Sequence, residues 1–360
     1  MDLPVNPPVP PMLAKRIAEL PAGDGWIFEP KWDGFRALIF RDGDELLIQS
    51  RDSRPLGRYY PDLIEPLKTQ LPDRCVLDGE IVIVTPHGLD FDALQLRLHP
   101  AESRVRMLAG QMPASIVFFD LLCDGDSDLR EVPFGKRRAA LESLLRRAQP
   151  PLHVTPTTRD RALAMDWFSR FEGAGFDGVM AKPESVAYES GKRVMFKIKH
   201  ERECDCVVAG LRWHKGSDQN AVGSLLLGLY DQAGALQHVG VCSSFTDARR
   251  HELVDRLAPY RMADLASHPW NDWALAEAAD PSQRRPGGSS RWSQGKDLSW
   301  VPLRPELVVE VAYDHMQGSR FRHTAQFRRW RPDKPPADCG FDQLEVVAPQ
   351  ELQEIFGKRG

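Results

Sequence analysis

The sequence predicts an α+β protein in two parts, strands and helices over 1–201 followed by a small barrel of short strands over 202–360. Three observations carry this. The chain has 360 residues, long for a single hydrophobic core. Up to about residue 200, strand-like runs are interspersed with helical periodicity; beyond it come mostly short strand-like runs and one helix. The change falls at the charged connector His200-Glu201-Arg202-Glu203.

Pro4, Pro7, Pro8, Pro10 and Pro11 make an extended lead-in, and Met12 to Leu20 reads as a short helix ending at Pro21. Trp26 to Glu29 reads as a strand running into Lys31. Phe35 to Phe40 and Glu45 to Ser50 flank a D-G turn, the signature of a β-hairpin with Arg51 at its exit. Residues 74–84 and Ala114 to Cys123 are β-branched, strand-like runs. In 134–149, Leu141, Leu144, Leu145 and Ala148 recur at helical spacing, with Lys136, Arg137, Arg138, Arg146 and Arg147 placed elsewhere around the helix. A second helix is expected over about 158–172, capped by Thr157 with Asp160, striped by Ala164, Trp167, Phe168 and Phe171, and stopped by Gly173 and Gly175. Beyond the connector, strands are expected at Cys206–Trp213, Ser224–Tyr230, Leu236–Cys242 and Leu307–Tyr313, with a helix near 246–258. Short strands with one helix suggest a barrel of the oligonucleotide-binding (OB) type. Residues 264–300, rich in Ala, Ser, Gly, Pro and Trp, read as a long loop or insertion.

Composition narrows the function. A formal net charge of −4 excludes binding nucleic acid by total charge, so any phosphate-binding surface is a local patch. No run approaches the ~18 apolar residues of a membrane span, and the N-terminus lacks the form of a signal peptide. A cytoplasmic location and no membrane partner are therefore expected. The six cysteines include no CxxC pair and read as reduced core thiols; Cys204 and Cys206 would share one face of a strand. No GxxxxGK[ST] motif appears, which excludes a P-loop enzyme.

The chemistry concentrates around Glu29-Pro30-Lys31-Trp32-Asp33-Gly34-Phe35-Arg36. A lysine becomes a nucleophile when burial or neighbouring cations drive off its proton. Asp78 and Glu80 share one strand face, where buried carboxylates need a cation or donors; they stand either at a cleft or at a turn through Asp78-Gly79. In Phe196-Lys197-Ile198-Lys199 the two lysines point the same way. They repel unless an anion lies between them, or else they mark an exposed edge strand. Residues 319–334 interleave five arginines with Phe321, Phe327 and Trp330, which suits nucleic-acid contact or a solvated basic face.

Taken in order, Lys31-Trp32-Asp33-Gly34-Phe35-Arg36, Ser50-Arg51, Leu77-Asp78-Gly79-Glu80, Phe118-Phe119-Asp120, Asp177-Gly178-Val179-Met180-Ala181-Lys182, Phe196-Lys197-Ile198-Lys199 and Arg331-Pro332-Asp333-Lys334 resemble the motif series of ATP-dependent DNA ligases, members of the covalent nucleotidyltransferase superfamily. Pro11-Met12-Leu13-Ala14-Lys15 and Phe91-Asp92-Ala93-Leu94-Gln95-Leu96-Arg97 look most like the stand-alone bacterial ligase C group. The resemblance implies an adenylation domain of antiparallel sheets with flanking helices, then an OB-fold barrel. It implies that Lys31 attacks the α-phosphorus of ATP and holds AMP, with its pKa depressed by Lys197, Lys199 and Mg²⁺ (or Mn²⁺). Arg36 and Arg51 would hold phosphate, Glu80 the ribose hydroxyls, Phe119 the adenine ring, and Glu29 the base; Lys182 would lie nearby. Lys197 and Lys199 would contact the α-phosphate, and Asp333 and Lys334 would orient pyrophosphate. Asp177 and Glu80 would serve the metal, although many members carry glutamate where this chain has Asp177. Arg320, Arg322, Arg328 and Arg329 would contact nucleic acid. The implied partner is nicked double-stranded DNA and the protein a monomer. With no large domain expected before Lys31 or after the barrel, DNA contact falls to the two domains and their loops.

Two rival readings stay open. Within the superfamily, an RNA ligase or a GTP-dependent RNA-capping enzyme uses the same lysine chemistry. From another class, a non-catalytic nucleic-acid clamp would keep the two-domain shape.

Overall fold

The computed structural model describes residues 1–85, 88–170, 175–271, 299–314 and 316–344. Contacts divide the described chain between His200 and Glu201.

The first unit is built on two sheets. One has the order Leu13–Arg16, Arg193–Ile198, Val179–Pro183, Trp26–Pro30. The other is centred on Glu45–Ser50, Phe35–Asp42, Arg74–Thr85 and Ala114–Asp124, all antiparallel. The hairpin forms where the D-G turn predicts it, with Gly43 at φ +60°. Alternation along Phe35–Asp42 and Arg74–Thr85 sends Ala37, Ile39, Leu77 and Ile81 into the core shared with Leu63, Leu67, Leu141 and Leu145. The other face sends Leu38, Phe40 and Val76 against Met12, Tyr188 and Met195. Asp78 and Glu80 lie on that second face, and the strand runs straight through Asp78-Gly79 with no turn.

Three expectations need correction. Met12 to Leu20 is not a helix: Leu13–Arg16 is a strand that pairs in parallel with Arg193–Lys197. A backbone partner some 180 residues away satisfies the amides that helical spacing would have assigned locally. The Lys197 strand, for its part, is no edge strand, because Leu13–Arg16 covers its outer side. The helix Arg161–Arg170 also starts differently from expectation. Thr158 is drawn into a bridge with Phe28, and Asp160 rather than Thr157 accepts from the first turn, from Ala162 N at 2.8 Å. Ala164 is buried, with Trp167 and Phe168 packed alongside, while Phe171 and Gly173 lie outside the described residues.

The second unit is a five-stranded antiparallel sheet ordered Leu236–Cys242, Val222–Tyr230, Arg202–Trp213, Val301–Tyr313, Gln326–Trp330. Register shifts at Val208/Gly210 and Arg212/Trp213 bend the long central strand. A parallel bridge from Cys242 to Ala325 joins the first strand of this order to the lead-in of the last, closing the sheet into a barrel around Val207, Leu225, Leu227, Val239 and Val309. The helix Asp247–Leu257 follows Leu236–Cys242, with Thr246 as its cap. All six cysteines are buried thiols, Cys204 and Cys206 among the barrel core. Most of the 264–300 segment lies outside the described residues.

Candidate active site

Lys31 follows directly on the Trp26–Pro30 strand. Pro30 has no amide to donate, but the ladder continues one step further: Lys31 N donates to Gly178 O at 2.9 Å and Asp177 N donates to Lys31 O at 3.0 Å. This reciprocal pair sets Lys31 opposite Asp177, and their side chains meet with Nζ 2.5 Å from Oδ2. Gly178 sits at φ +131°, and a Cβ there would lie 1.9 Å from Ile198 O. Glycine thus lets the Asp177 segment close onto the chain entering Lys199, whose Nζ is 2.9 Å from the same Asp177 oxygen. On the other side, a Cβ on Gly34 would stand 2.2 Å from Ile81 O, so glycine lets the loop after Lys31 press against the strand carrying Glu80. Trp32 pins that loop: its Nε1 donates to Thr155 Oγ1 at 2.8 Å and its ring lies 4.6 Å from that of Phe176.

Three ammonium groups therefore gather about one carboxylate. Burial opposes the charge on Lys31, but the Asp177 contact, helped by Glu80 and Asp33, outweighs it and holds the lysine's pKa above its ordinary value. Lys31 is thus raised, where the sequence reading expects Lys197, Lys199 and Mg²⁺ to depress it, because the Asp177 carboxylate touches its ammonium. Lys197 is the amine that is depressed, by burial and then by Lys31 and Lys199. Burial raises the Asp177 pKa, yet the two lysines bring it down to about 2. Glu80 is pushed up to about 7 by burial, against the pull of Lys31 and Arg36.

Beside this cluster lies Phe119. Phe118 points into the helix-covered core and is fully buried, while the Phe119 ring has the Arg36 guanidinium 4.7 Å and the Lys182 ammonium 4.6 Å from its centroid. Glu29 and Lys182 form a nearly fully buried pair at 2.8 Å; the other Glu29 oxygen, Oε1, is buried with no hydrogen-bond partner among the described residues. Arg36 does not present its fork to solvent, since both arms grip Asp78 at 2.6 and 2.5 Å. Arg51 is exposed, near enough to Lys197 to lower it.

In the barrel unit, Asp333 is exposed and paired with Arg331, and Lys334 reaches Asp205 at 3.0 Å. The basic tail is not an open cationic face. Arg328 pairs with Glu201 and Glu203, Arg329 with Glu310, and Arg320 points at His238. Phe321 is buried, and Phe327 packs edge-on against Phe245.

Several supporting groups escaped the sequence reading. Arg137, fully buried, holds Asp120 through two bonds of 2.8 and 2.9 Å, bracing the strand just after Phe119. Its signal was present: position 137 lies four before Leu141, on the helix's apolar stripe. Tyr188 donates to Asp78 at 2.5 Å and Thr155 receives Trp32; nothing in their local sequence marks either.

A lysine paired with Asp177 and neighboured by Lys197 and Lys199, an aromatic ring contacted by two cations, and a closed barrel in the second unit are the architecture of a nucleotidyltransferase with an appended OB fold. Comparison with known proteins agrees. Residues 11–199 match the family "ATP dependent DNA ligase domain" and residues 218–334 match "ATP dependent DNA ligase C terminal region". The chain is 58% identical to DNA ligase C2 of Mycolicibacterium smegmatis, over 96% of each chain. It is 55% identical to DNA ligase C of Mycobacterium tuberculosis, over 99% of each. A solved Lig E DNA ligase shares the fold at 17% identity and a TM-score of 0.52, covering 88% of this chain and 99% of that one. The chain belongs to the ATP-dependent DNA ligase family. No described helix is long and apolar enough to cross a membrane.

Proposed function

We propose that this protein seals nicks in double-stranded DNA with ATP, residues 1–201 serving as the adenylation domain and 202–360 as the OB-fold domain. The observation that carries this reading is the sharing of one carboxylate, Asp177, by Lys31 and Lys199, with Lys197 making no ion pair among the described residues. Such an excess of positive charge around a nucleophile calls for an anion, and the α-phosphate of ATP supplies it. Lys31 gives up its proton, its nitrogen bonds to the α-phosphorus, and the bond to pyrophosphate breaks, leaving lysyl-AMP. The 5′-phosphate of the nick then takes AMP from Lys31, and the 3′-hydroxyl displaces AMP to form the phosphodiester.

Lys197 and Lys199 hold the α-phosphate through the first step. Phe119 stacks on adenine, with Arg36 and Lys182 beside its ring. The buried, unpartnered Oε1 of Glu29 accepts a hydrogen bond from the adenine amino group; guanine would offer it an oxygen instead, which favours ATP over GTP. Glu80 binds the ribose and Arg51 a phosphate. Asp333 and Lys334 act on the leaving pyrophosphate, and Arg320, Arg322, Arg328 and Arg329 approach the DNA backbone, Arg320, Arg328 and Arg329 by exchanging their histidine or carboxylate partners for phosphate.

The donors around Lys31 suit a hard divalent cation such as Mg²⁺. They are carboxylate oxygens, the hard donors such an ion takes, and no group of three ligating residues occurs among the described residues. Asp177 and Glu80 are the residues that would hold it, and when bound it neutralises charge on the triphosphate.

The test is sealing of a singly nicked, 5′-labelled duplex with ATP, comparing the native protein with Lys31→Ala. Sealing by the native protein alone is expected. Sealing of nicked RNA in preference to DNA would move the reading to an RNA ligase, and binding without sealing would leave only a clamp.

A further inference from the structure

Asp205 and Glu310 face each other directly across neighbouring strands of the barrel. Like charges so placed repel, and both side chains are shielded from solvent, so the pair is costly without a cation between them. Arg331 supplies it: Nη1 lies 3.0 Å from each Asp205 oxygen and 3.3 Å from Glu310. The turn that follows, closed by Lys334 N donating to Arg331 O at 3.2 Å, brings Lys334 Nζ back to 3.0 Å from Asp205 Oδ2. Asp205 is itself fixed at the backbone. Its N–H donates to Gln343 Oε1 at 2.8 Å, and its carbonyl accepts from Gln343 Nε2 at 2.9 Å. One rigidly seated carboxylate thus holds both cations of the Arg-Pro-Asp-Lys turn, while Asp333 stays exposed on the turn's outer side, bonded to Arg331.

We propose that Asp205 is a positioning residue for adenylation: it clamps Arg331 and Lys334 side by side so that the turn meets the departing pyrophosphate as one preformed unit. This rests on the reading that Lys334 acts on pyrophosphate. Without the Asp205 charge, two neighbouring cations lose their common anchor and repel, and the turn must be ordered anew at each encounter with ATP. The role belongs to the first chemical step alone. Sealing a nick whose 5′-phosphate already carries AMP releases no pyrophosphate and makes no demand on the clamp.

The experiment compares Asp205→Asn, Asp205→Glu, Lys334→Ala and the Asp205→Asn/Lys334→Ala double variant in two single-turnover assays. One measures lysyl-AMP formation from ATP, and the other sealing of a pre-adenylated nick by enzyme freed of AMP. Asp205→Asn is expected to slow adenylation by roughly ten- to a hundredfold, the scale of a lost positioning contact, with sealing within about twofold of native. Asp205→Glu should restore part of the loss. In the Lys334→Ala background the asparagine change should cost less than it does alone, since the two act through one contact. Adenylation unchanged in Asp205→Asn, while Lys334→Ala slows it, overturns the clamp but leaves the Lys334 reading intact. Adenylation unchanged in Lys334→Ala overturns that reading and the inference with it. Equal slowing of both assays in Asp205→Asn, accompanied by a lower melting temperature, reduces Asp205 to a structural residue and also overturns the proposal.

Discussion

Asp177 holds Lys31 protonated, so replacing it with asparagine should make that amine more reactive. Its side chain is only 9% exposed, and its pKa falls from 3.8 to about 2 through contact with Lys31 and Lys199. At 1.36 kcal/mol per unit, that fall corresponds to about 2 kcal/mol of preference for the ammonium–carboxylate arrangement. Burial then acts on Lys31 without that opposing contact, so its free-amine fraction at a given pH below its pKa should rise. Trace acetylation across the alkaline range, quantified by peptide mass spectrometry with exposed Lys136 as internal standard, reads that fraction directly. The same variant should adenylate more slowly, since Asp177 is also the proposed cation ligand. Opposite movements in the two assays are the signature of the arrangement. An unchanged Lys31-to-Lys136 labelling ratio would refute the claim that Asp177 controls the protonation of the nucleophile.

Other consequences are as concrete. Arg137→Ala strands the Asp120 carboxylate in the core and should cost about 3–5 kcal/mol in urea unfolding; a loss below about 1 kcal/mol would show the pair to be dispensable. Gly178→Ala drives a Cβ into Ile198 O at a positive φ and should lower both the melting temperature and lysyl-AMP yield, so native behaviour of this variant would contradict the close approach at Lys199. Glu80 titrates near 7 in the folded chain against 4.5 unfolded, so the native state holds a proton that the unfolded state releases. Its contribution is complete below pH 4.5 and is lost as pH rises through 7, about 3 kcal/mol in all. Glu80→Gln should flatten the stability profile across that window, and an identical slope in the two proteins would argue against burial of the carboxyl. Nick affinity should weaken steeply with added salt, as phosphate-dominated binding does; a gel-shift midpoint indifferent to salt would contradict it.

Much of this arrangement was legible in the chain. Hydrophobic alternation located the hairpin and the two long strands of the first unit, and it placed Asp78 and Glu80 on one face. The lysines of Phe196-Lys197-Ile198-Lys199 left open an anion between them or an exposed edge strand, and pairing with Leu13–Arg16 removes the second. What sequence could not show were long-range partners. Whether Leu13–Arg16 is helix or strand depends on Arg193–Lys197, and whether Thr157 caps a helix depends on Thr158 being claimed by Phe28. Lys31 looked like an amine depressed by cations; a single carboxylate at 2.5 Å reverses the sign. The arginines of the tail looked free for the same reason, since Glu201, Glu203 and Glu310 reach them only through the barrel's strand pairing and closure. Arg137 and Asp205 were not singled out in the sequence, yet each is held by charged partners, Arg137 by Asp120 and Asp205 by Arg331 and Lys334.

The central claim, that Lys31 is the residue that carries the nucleotide, is tested most directly by intact and peptide mass spectrometry after incubation with ATP or GTP and Mg²⁺, and of the protein as purified. A single AMP adduct, mapped to the peptide containing Lys31, formed from ATP and absent from Lys31→Ala, is the predicted result. An adduct on another residue, a GMP adduct formed in preference, or no adduct from either nucleotide on protein shown to be free of AMP would contradict it.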